Sequence, residues 1–179
     1  MGSPAAAPGG RRPEASGDLA ETAVALFDRS VADGWAVDGA EGFVYTTDWS
    51  GVPVVRTRMH WVVCEAIATA AALHARTGDP RFASWYATWW DYADRYLIDR
   101  ERGSWHHELD PANRPAATVW PGKPDIYHAV QATLLPRLPL APMLARALRE
   151  GALRGDALRE GALREDAPPE RAPHTRTRP

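Results

Sequence analysis

Two histidines occupy positions suited to proton transfer. His60 follows Arg56-Thr-Arg58-Met and opens a helical pattern with Trp61. His128 follows Trp120-Pro-Gly-Lys123-Pro-Asp125-Ile-Tyr127 and falls in the first turn of another helix. The positive end of a helix dipole disfavours imidazolium, and a neutral imidazole accepts a proton near pH 7. A pair of them can take a proton from the carbon beside a carbonyl and return it, while donors steady the oxygen. Sequence spacing alone does not establish that the two rings meet.

Polar and aromatic groups cluster around both. Arg56 and Arg58 can hold sugar oxygens, although an extended segment presents only one of the two to a given side. Lys123 precedes the second helix, and Gln131 lies one turn beyond His128 on its surface. Between them runs Gly103-Ser-Trp105-His106-His107-Glu108-Leu-Asp110. Three readings of that segment stand side by side. Histidines and carboxylates are metal ligands, yet adjacent histidines in an extended chain point opposite ways and no metal-ligand spacing is present. Glu108 and Asp110 form a carboxylate pair of the kind that hydrolyses glycosides. A turn with polar caps over a buried Trp105 needs no chemistry at all. We take Trp105, His106, Glu108 and Trp120 as substrate contacts beside Arg58, Lys123 and Gln131, with no metal. Glu65, about 140° around the helix from His60, needs a partner if it points inward. Cys64 sits in an apolar helical pattern and reads as a small buried hydrophobe.

The bulk properties narrow the function classes. The chain has 179 residues and a formal net charge of -2, so no basic field for nucleic acid is present. One cysteine excludes an internal disulfide. No apolar leader stands at the start and no apolar run is long enough to span a bilayer, which together suggest a cytoplasmic protein. Eight tryptophans are the unusual feature. Their large apolar faces suit both a core and stacking on sugar rings.

The elements that must position these groups are mostly helical. Residues 1–17 are rich in Gly, Pro and Ala and read as a disordered lead-in. Asp18, with Glu21, resembles a capping box opening a helix that Gly34 ends. Phe43 to Trp49 alternates like a strand, and Val52 to Arg56 returns beside it as a hairpin. A helix follows from His60 to Arg76, with Gly78 as its stop. Asp79-Pro80 then caps a second, from Pro80 to Ile98. The segment from Asp99 to Gly122 is rich in turn signals, and loops of that length are often functional. Asp125 caps a helix from Ile126, which Pro136 disrupts, and Ala141-Pro142 opens another. From Ala147 an Ala-Leu-Arg unit recurs at positions 147, 152, 157 and 162. A period of five leaves no continuous apolar stripe, so residues 151–179 read as a low-complexity, disordered tail.

Several of these runs resemble the N-acylglucosamine 2-epimerase superfamily, nearest its mannose isomerase-like aldose–ketose isomerases. The resemblance rests on Gly42-Phe-Val-Tyr-Thr-Thr-Asp-Trp49, on Arg58-Met-His60-Trp61 through Glu65-Ala66, and on Gly103 to Asp110. It is strongest from Val119 to Gln131 and continues with Pro136-Arg-Leu-Pro-Leu-Ala-Pro142. It covers Asp18 to Glu150. It implies an all-α (α/α)6 barrel of helical hairpins, of which this chain is the C-terminal part, with short β-hairpins in the loops. It implies a monosaccharide substrate, no cofactor, and transfer of the C2 proton by histidine through an enediol-like intermediate. His128 matches the family's late histidine as the base. His60 is similar to a middle histidine that handles ring opening or oxygen. Trp105 and Trp120 would then be walls of the sugar pocket. About five helices cannot close such a barrel, so the resemblance also implies an open apolar flank. A second copy or a partner chain would cover it; a non-catalytic fragment or barrel-completing subunit is the alternative.

Overall fold

The computed structural model describes residues 15–141, 143 and 145–151. The proposed lead-in lies outside the described residues except for its end, and the tail lies outside them beyond residue 151. Two compact units divide the chain, Met1–Thr133 and Leu134–Pro179.

The first unit is largely helical with small antiparallel ladders. Helix α1 spans Ala15–Gly34, so it begins before Asp18, where the capping-box pattern placed its start. β1 (Thr46–Thr47) pairs antiparallel with β2 (Pro53–Val55), as the alternation after Phe43 predicts, though the ladder is short. β3 (Arg58–Met59) leads directly into α2 (His60–Thr77). Gly78 ends α2 in the left-handed conformation (φ 71°), its N–H donating to the His74 carbonyl. That conformation carries no Cβ penalty for glycine. Asp79 then caps α3 (Pro80–Tyr92) by accepting from the Arg81 N–H, with Pro80 in the first turn. The helix expected to reach Ile98 changes pitch instead, widening to a π-helical turn over Ala93–Leu97. β4 (Glu108–Leu109) lies between β3 and β5 (Pro115–Ala116) in a three-stranded sheet. α4 spans Tyr127–Leu134, and Asp125 accepts from the Tyr127 N–H at 2.9 Å.

The core forms where α1, α2 and α3 bring their apolar stripes together. Phe27, Val63, Ile67, Phe82, Trp89 and Leu97 are buried there. Burying one such side chain contributes about 1.5–3 kcal/mol. Alanines at 66, 68 and 70 keep α2 slim on the buried side. Aromatic rings fill the opposite wall. Trp85 stacks on Trp89 at 5.2 Å, while Trp35 meets Phe43, Trp89 and Tyr92 edge-on at 5.0–6.0 Å. Most of the tryptophans are therefore structural.

A buried ion pair anchors the sheet to the loop after α1. The Arg58 guanidinium is fully buried and donates to both Asp38 carboxylate oxygens, at 3.0 and 2.7 Å. It also donates to the carbonyls of Ala40, Glu41 and Arg56. This bidentate pair holds the Asp38 carboxyl at about 2. Burial alone would raise it, but hydrogen bonds from Arg58 and Arg56 prevail.

The second unit opens with a 3-10 turn over Leu135–Arg137 at the predicted Pro136 disruption. A helical segment follows over 145–151, carrying an Arg146–Glu150 pair one turn apart. Among the described residues no helix is long and apolar enough to cross a membrane.

Candidate functional site

The β3–β4 pairing brings the distant motifs together. Met59 lies opposite Glu108, so His60, the next residue, meets His107. The His107 carbonyl accepts from the His60 N–H at 3.1 Å and lies 3.2 Å from His60 Nδ1. A carbonyl only accepts, so Nδ1 carries the hydrogen and Nε2 is left with a lone pair. That Nε2 is buried and has no hydrogen-bond partner. The His60 ring is 3% exposed, and its pKa falls to about 4. Burial is the main cause, opposed by the hydrogen bond to His107 and assisted by the neighbouring imidazoles. The helix N-terminus pointed to a neutral ring; desolvation is what keeps it so.

His128 reaches the same place from α4. Its ring centroid lies 6.2 Å from that of His60 and 5.9 Å from Trp61. Its Nδ1 lies 2.8 Å from the Glu65 carboxylate. The carboxylate is the acceptor, so Nδ1 donates, and in the neutral ring Nε2 is the nitrogen with the lone pair. Glu65 does not point inward: it is exposed and pairs with His128 at the surface of α2. Trp61 and Glu65 share one face of α2, four residues apart, and that face meets α4. The pair is half-exposed, which limits its worth to about 1 kcal/mol or less; its effect is on which nitrogen faces outward.

His107 completes a row of three imidazoles. Its ring is 5.0 Å from His60, edge-on, and the Trp120 indole stacks on it at 5.8 Å with planes 13° apart. Sequence reasoning chose His106 over its neighbour. Adjacent side chains in a strand point oppositely, but nothing in the sequence says which is inside. The structure turns His106 away, into a small polar groove with Asp99 and Arg102. Glu65 and His107 are the two site groups that the sequence motifs did not single out as contacts.

The other expected contacts divide. Trp120 is exposed beside His107 and keeps its place. Gln131 is half-buried on α4, one turn from His128. Lys123 instead pairs with Asp99. Arg58 is enclosed by its pairing with Asp38, with no exposed surface to offer a ligand. Trp105 is a core residue packed edge-on against Trp90 at 6.1 Å. Glu108 is fully buried, accepting from the backbone and hydroxyl of Thr118 and from the N–H groups of Val119 and Trp120. All three are buried for separate reasons: Arg58 by its pairing with Asp38, Trp105 in the aromatic core, and Glu108 beneath the Thr118–Trp120 loop. Asp110 caps its own turn, accepting from Ala112 and Arg114 N–H, so Glu108 and Asp110 do not face one another across an open cleft. Among the described residues no three His, Cys, Asp or Glu side chains gather as a metal ion requires.

The chain is similar to several known proteins. The chain is 61% identical over 131 residues to a D-mannose isomerase of Thermobifida fusca, a match covering 73% of this chain and 32% of the relative. It is 55% identical over 130 residues to a D-mannose isomerase of Pseudomonas cannabina pv. alisalensis, covering 73% and 31%. The chain therefore spans about a third of the length of these relatives. A crystal structure of D-mannose isomerase shares its fold with a TM-score of 0.54 at 22% identity, over 71% of this chain and 37% of that one. The family model for N-acylglucosamine 2-epimerase matches residues 6–132, which ends earlier than the Pro136–Pro142 run and Glu150. That family match spans well over half of the chain, and the chain belongs to the N-acylglucosamine 2-epimerase family.

Proposed function

We propose that this chain carries the proton-transfer face of a sugar isomerase or 2-epimerase, acting between an aldose and a ketose of the mannose–fructose type. The observation that carries the reading is the pair His60 and His128. Each directs its Nδ1–H to an acceptor, so that in the neutral rings Nε2 is the lone-pair nitrogen, with ring centroids 6.2 Å apart. The buried, partnerless Nε2 of His60 costs about 1–3 kcal/mol as an unsatisfied acceptor. A sugar hydroxyl would satisfy it.

In this reading the open-chain aldose lies along the imidazole row against Trp120. His128 Nε2 takes the C2 proton, and the electron pair forms the C1–C2 double bond as charge moves onto O1. His60 Nε2, the bare acceptor, takes the proton of the O2 hydroxyl and gives it to O1. Return of the carbon proton from His128 to C1, with O2 now the carbonyl oxygen, gives the ketose; passage of the proton back from O1 to O2 and return of the carbon proton to C2 gives the epimer. Glu65 holds the His128 tautomer and stabilises the imidazolium formed. The chemistry asks only for proton carriers and for donors to oxygen. The α2–α3 hairpin is consistent with one segment of an (α/α)6 toroid, and His60 stands at the N-terminal end of α2.

The test is C2 hydrogen exchange on D-mannose in heavy water, followed by proton NMR with the full chain. Exchange that His128→Ala abolishes, with helical circular dichroism unchanged, supports the reading. Exchange equal in His128→Ala would remove His128 from the role.

A second reading rests on a separate observation. A groove of about 530 Å³ opens between α1 and α2, lined by Leu26, Phe27, Val31, Phe43, Val62 and Ala66. In a larger toroid further helices would fill it, and the chain alone would bind sugar without turning it over. Native sugar binding by calorimetry without exchange favours that reading.

A further inference from the structure

We propose that Glu108 is a positioning residue that fixes the Trp120 indole over the His107 imidazole, so that one buried carboxylate builds a wall of the histidine row. The inference rests on the row's being the sugar site, but its geometry is independent of turnover. Glu108 joins three parts of that wall. Through its backbone, β4 pairs with β3, which places the His107 carbonyl against His60. Its side chain turns to the loop beyond β5 and accepts from Thr118 N–H, Thr118 Oγ1 (2.7 Å), Val119 N–H (3.1 Å) and Trp120 N–H (3.4 Å).

Two facts argue that this is the hold on the loop. Among the described residues, no backbone–backbone hydrogen bond ties down Thr118, Val119 or Trp120. And the carboxylate is fully buried without a cationic partner among the described ion pairs; successive N–H groups neutralise it instead, as in an anion-binding nest. Burial would raise its pKa, but the donors from Thr118, Val119 and Trp120 outweigh that and keep it low. A buried anion is expensive, and a neutral loop would have been simpler if its only task were to cover the sheet. The ordered product is an indole more than half exposed, at 56%, yet held parallel to His107. Fixing the backbone at Thr118–Trp120 reduces the freedom an exposed indole must lose to hold that pose.

The experiment labels the full chain with 5-fluorotryptophan and reads fluorine NMR, the Trp120 line being identified by its loss in Trp120→Phe. In the wild type, His107→Ala should move the Trp120 line, because the stacked ring is gone. In Glu108→Gln, an isosteric change that removes the charge and replaces one of the two acceptor oxygens by a donor NH2, the Trp120 line should move toward the free amino acid's value, and adding His107→Ala should then leave it unchanged. The other lines should stay dispersed. A Trp120 line unmoved in folded Glu108→Gln, or a His107→Ala shift that persists in it, would overturn the proposal. If Glu108→Gln does not fold, Thr118→Val removes one donor only. It should move the Trp120 line part of the way, and an unmoved line there refutes the proposal equally. A failed exchange assay with normal fluorine shifts would count against the sugar reaction and leave the positioning role standing.

Discussion

Burial of His60 makes stability depend on pH in a defined window. Folded, its pKa is about 4; unfolded, an imidazole titrates near 6.5. The folded value is the lower one, so the unfolded chain binds the proton first. Above pH 6.5 both states are neutral and the stability is intact. As pH falls below 6.5 the unfolded state is protonated and stability is lost, until the folded ring also titrates near 4. The full loss is about 3 kcal/mol, of which about 2 kcal/mol falls between pH 7.5 and 5. Asp38, held at about 2, loses its contribution only below the ordinary carboxylate range, outside that window. The perturbation is His60→Asn, which keeps a donor for the His107 carbonyl but does not titrate. Urea unfolding at pH 7.5 and pH 5 measures both proteins. The stability advantage of wild type over variant should shrink by about 2 kcal/mol at the lower pH, on the order of 1 M in urea midpoint. The other histidines are common to both proteins and drop out of the difference. If both proteins weaken in parallel, His60 is not desolvated in solution and the neutral-base assignment fails.

Three further outcomes follow from burial. Asp38→Ala leaves the Arg58 guanidinium buried without its anion and should cost about 3–5 kcal/mol, read by the same urea unfolding. An unchanged midpoint would mean the pair is open to water. Gly42 has φ +108°, and a Cβ there would stand 2.5 Å from Tyr92 Oη and 2.9 Å from Arg58 Nε. Gly42→Ala should therefore lower stability by roughly 2 kcal/mol or more, combining strain with overpacking; a neutral effect in thermal melts would contradict the fit. Cys64 is 1% exposed, and burial pushes its thiol up to about 12, with Glu65 adding to the rise. Labelling by a thiol reagent at pH 8 should be slow in the folded protein and rapid in urea; equal rates would contradict its burial.

Local signals in the sequence carried most of the helices. Gly78 and Asp79-Pro80 mark a stop and a start that depend only on neighbouring backbone groups, and both stand where those groups demand. Asp125 likewise caps α4. The capping pattern at Asp18 did not mark the start, since α1 extends back to Ala15 through Gly17, against that residue's low helix propensity. The even pitch expected of α3 gave way to a π turn at Ala93, a backbone adjustment that periodicity does not register.

His60 and His128 were legible as proton carriers because residue type and helix position are local properties. Their partners were not. Glu65 pairs with His128 across 63 positions, and the side of β4 that faces inward depends on its pairing with β3. A one-residue change of register would exchange His106 for His107 and expose Glu108. Packing around each side chain, rather than parity alone, buried Arg58, Trp105 and Glu108, although their chemistry suited an open face. Residue identity determined which groups can move protons; only strand pairing and helix packing decided which of them share a surface, because those contacts join segments whose separation along the chain carries no record of their distance in space.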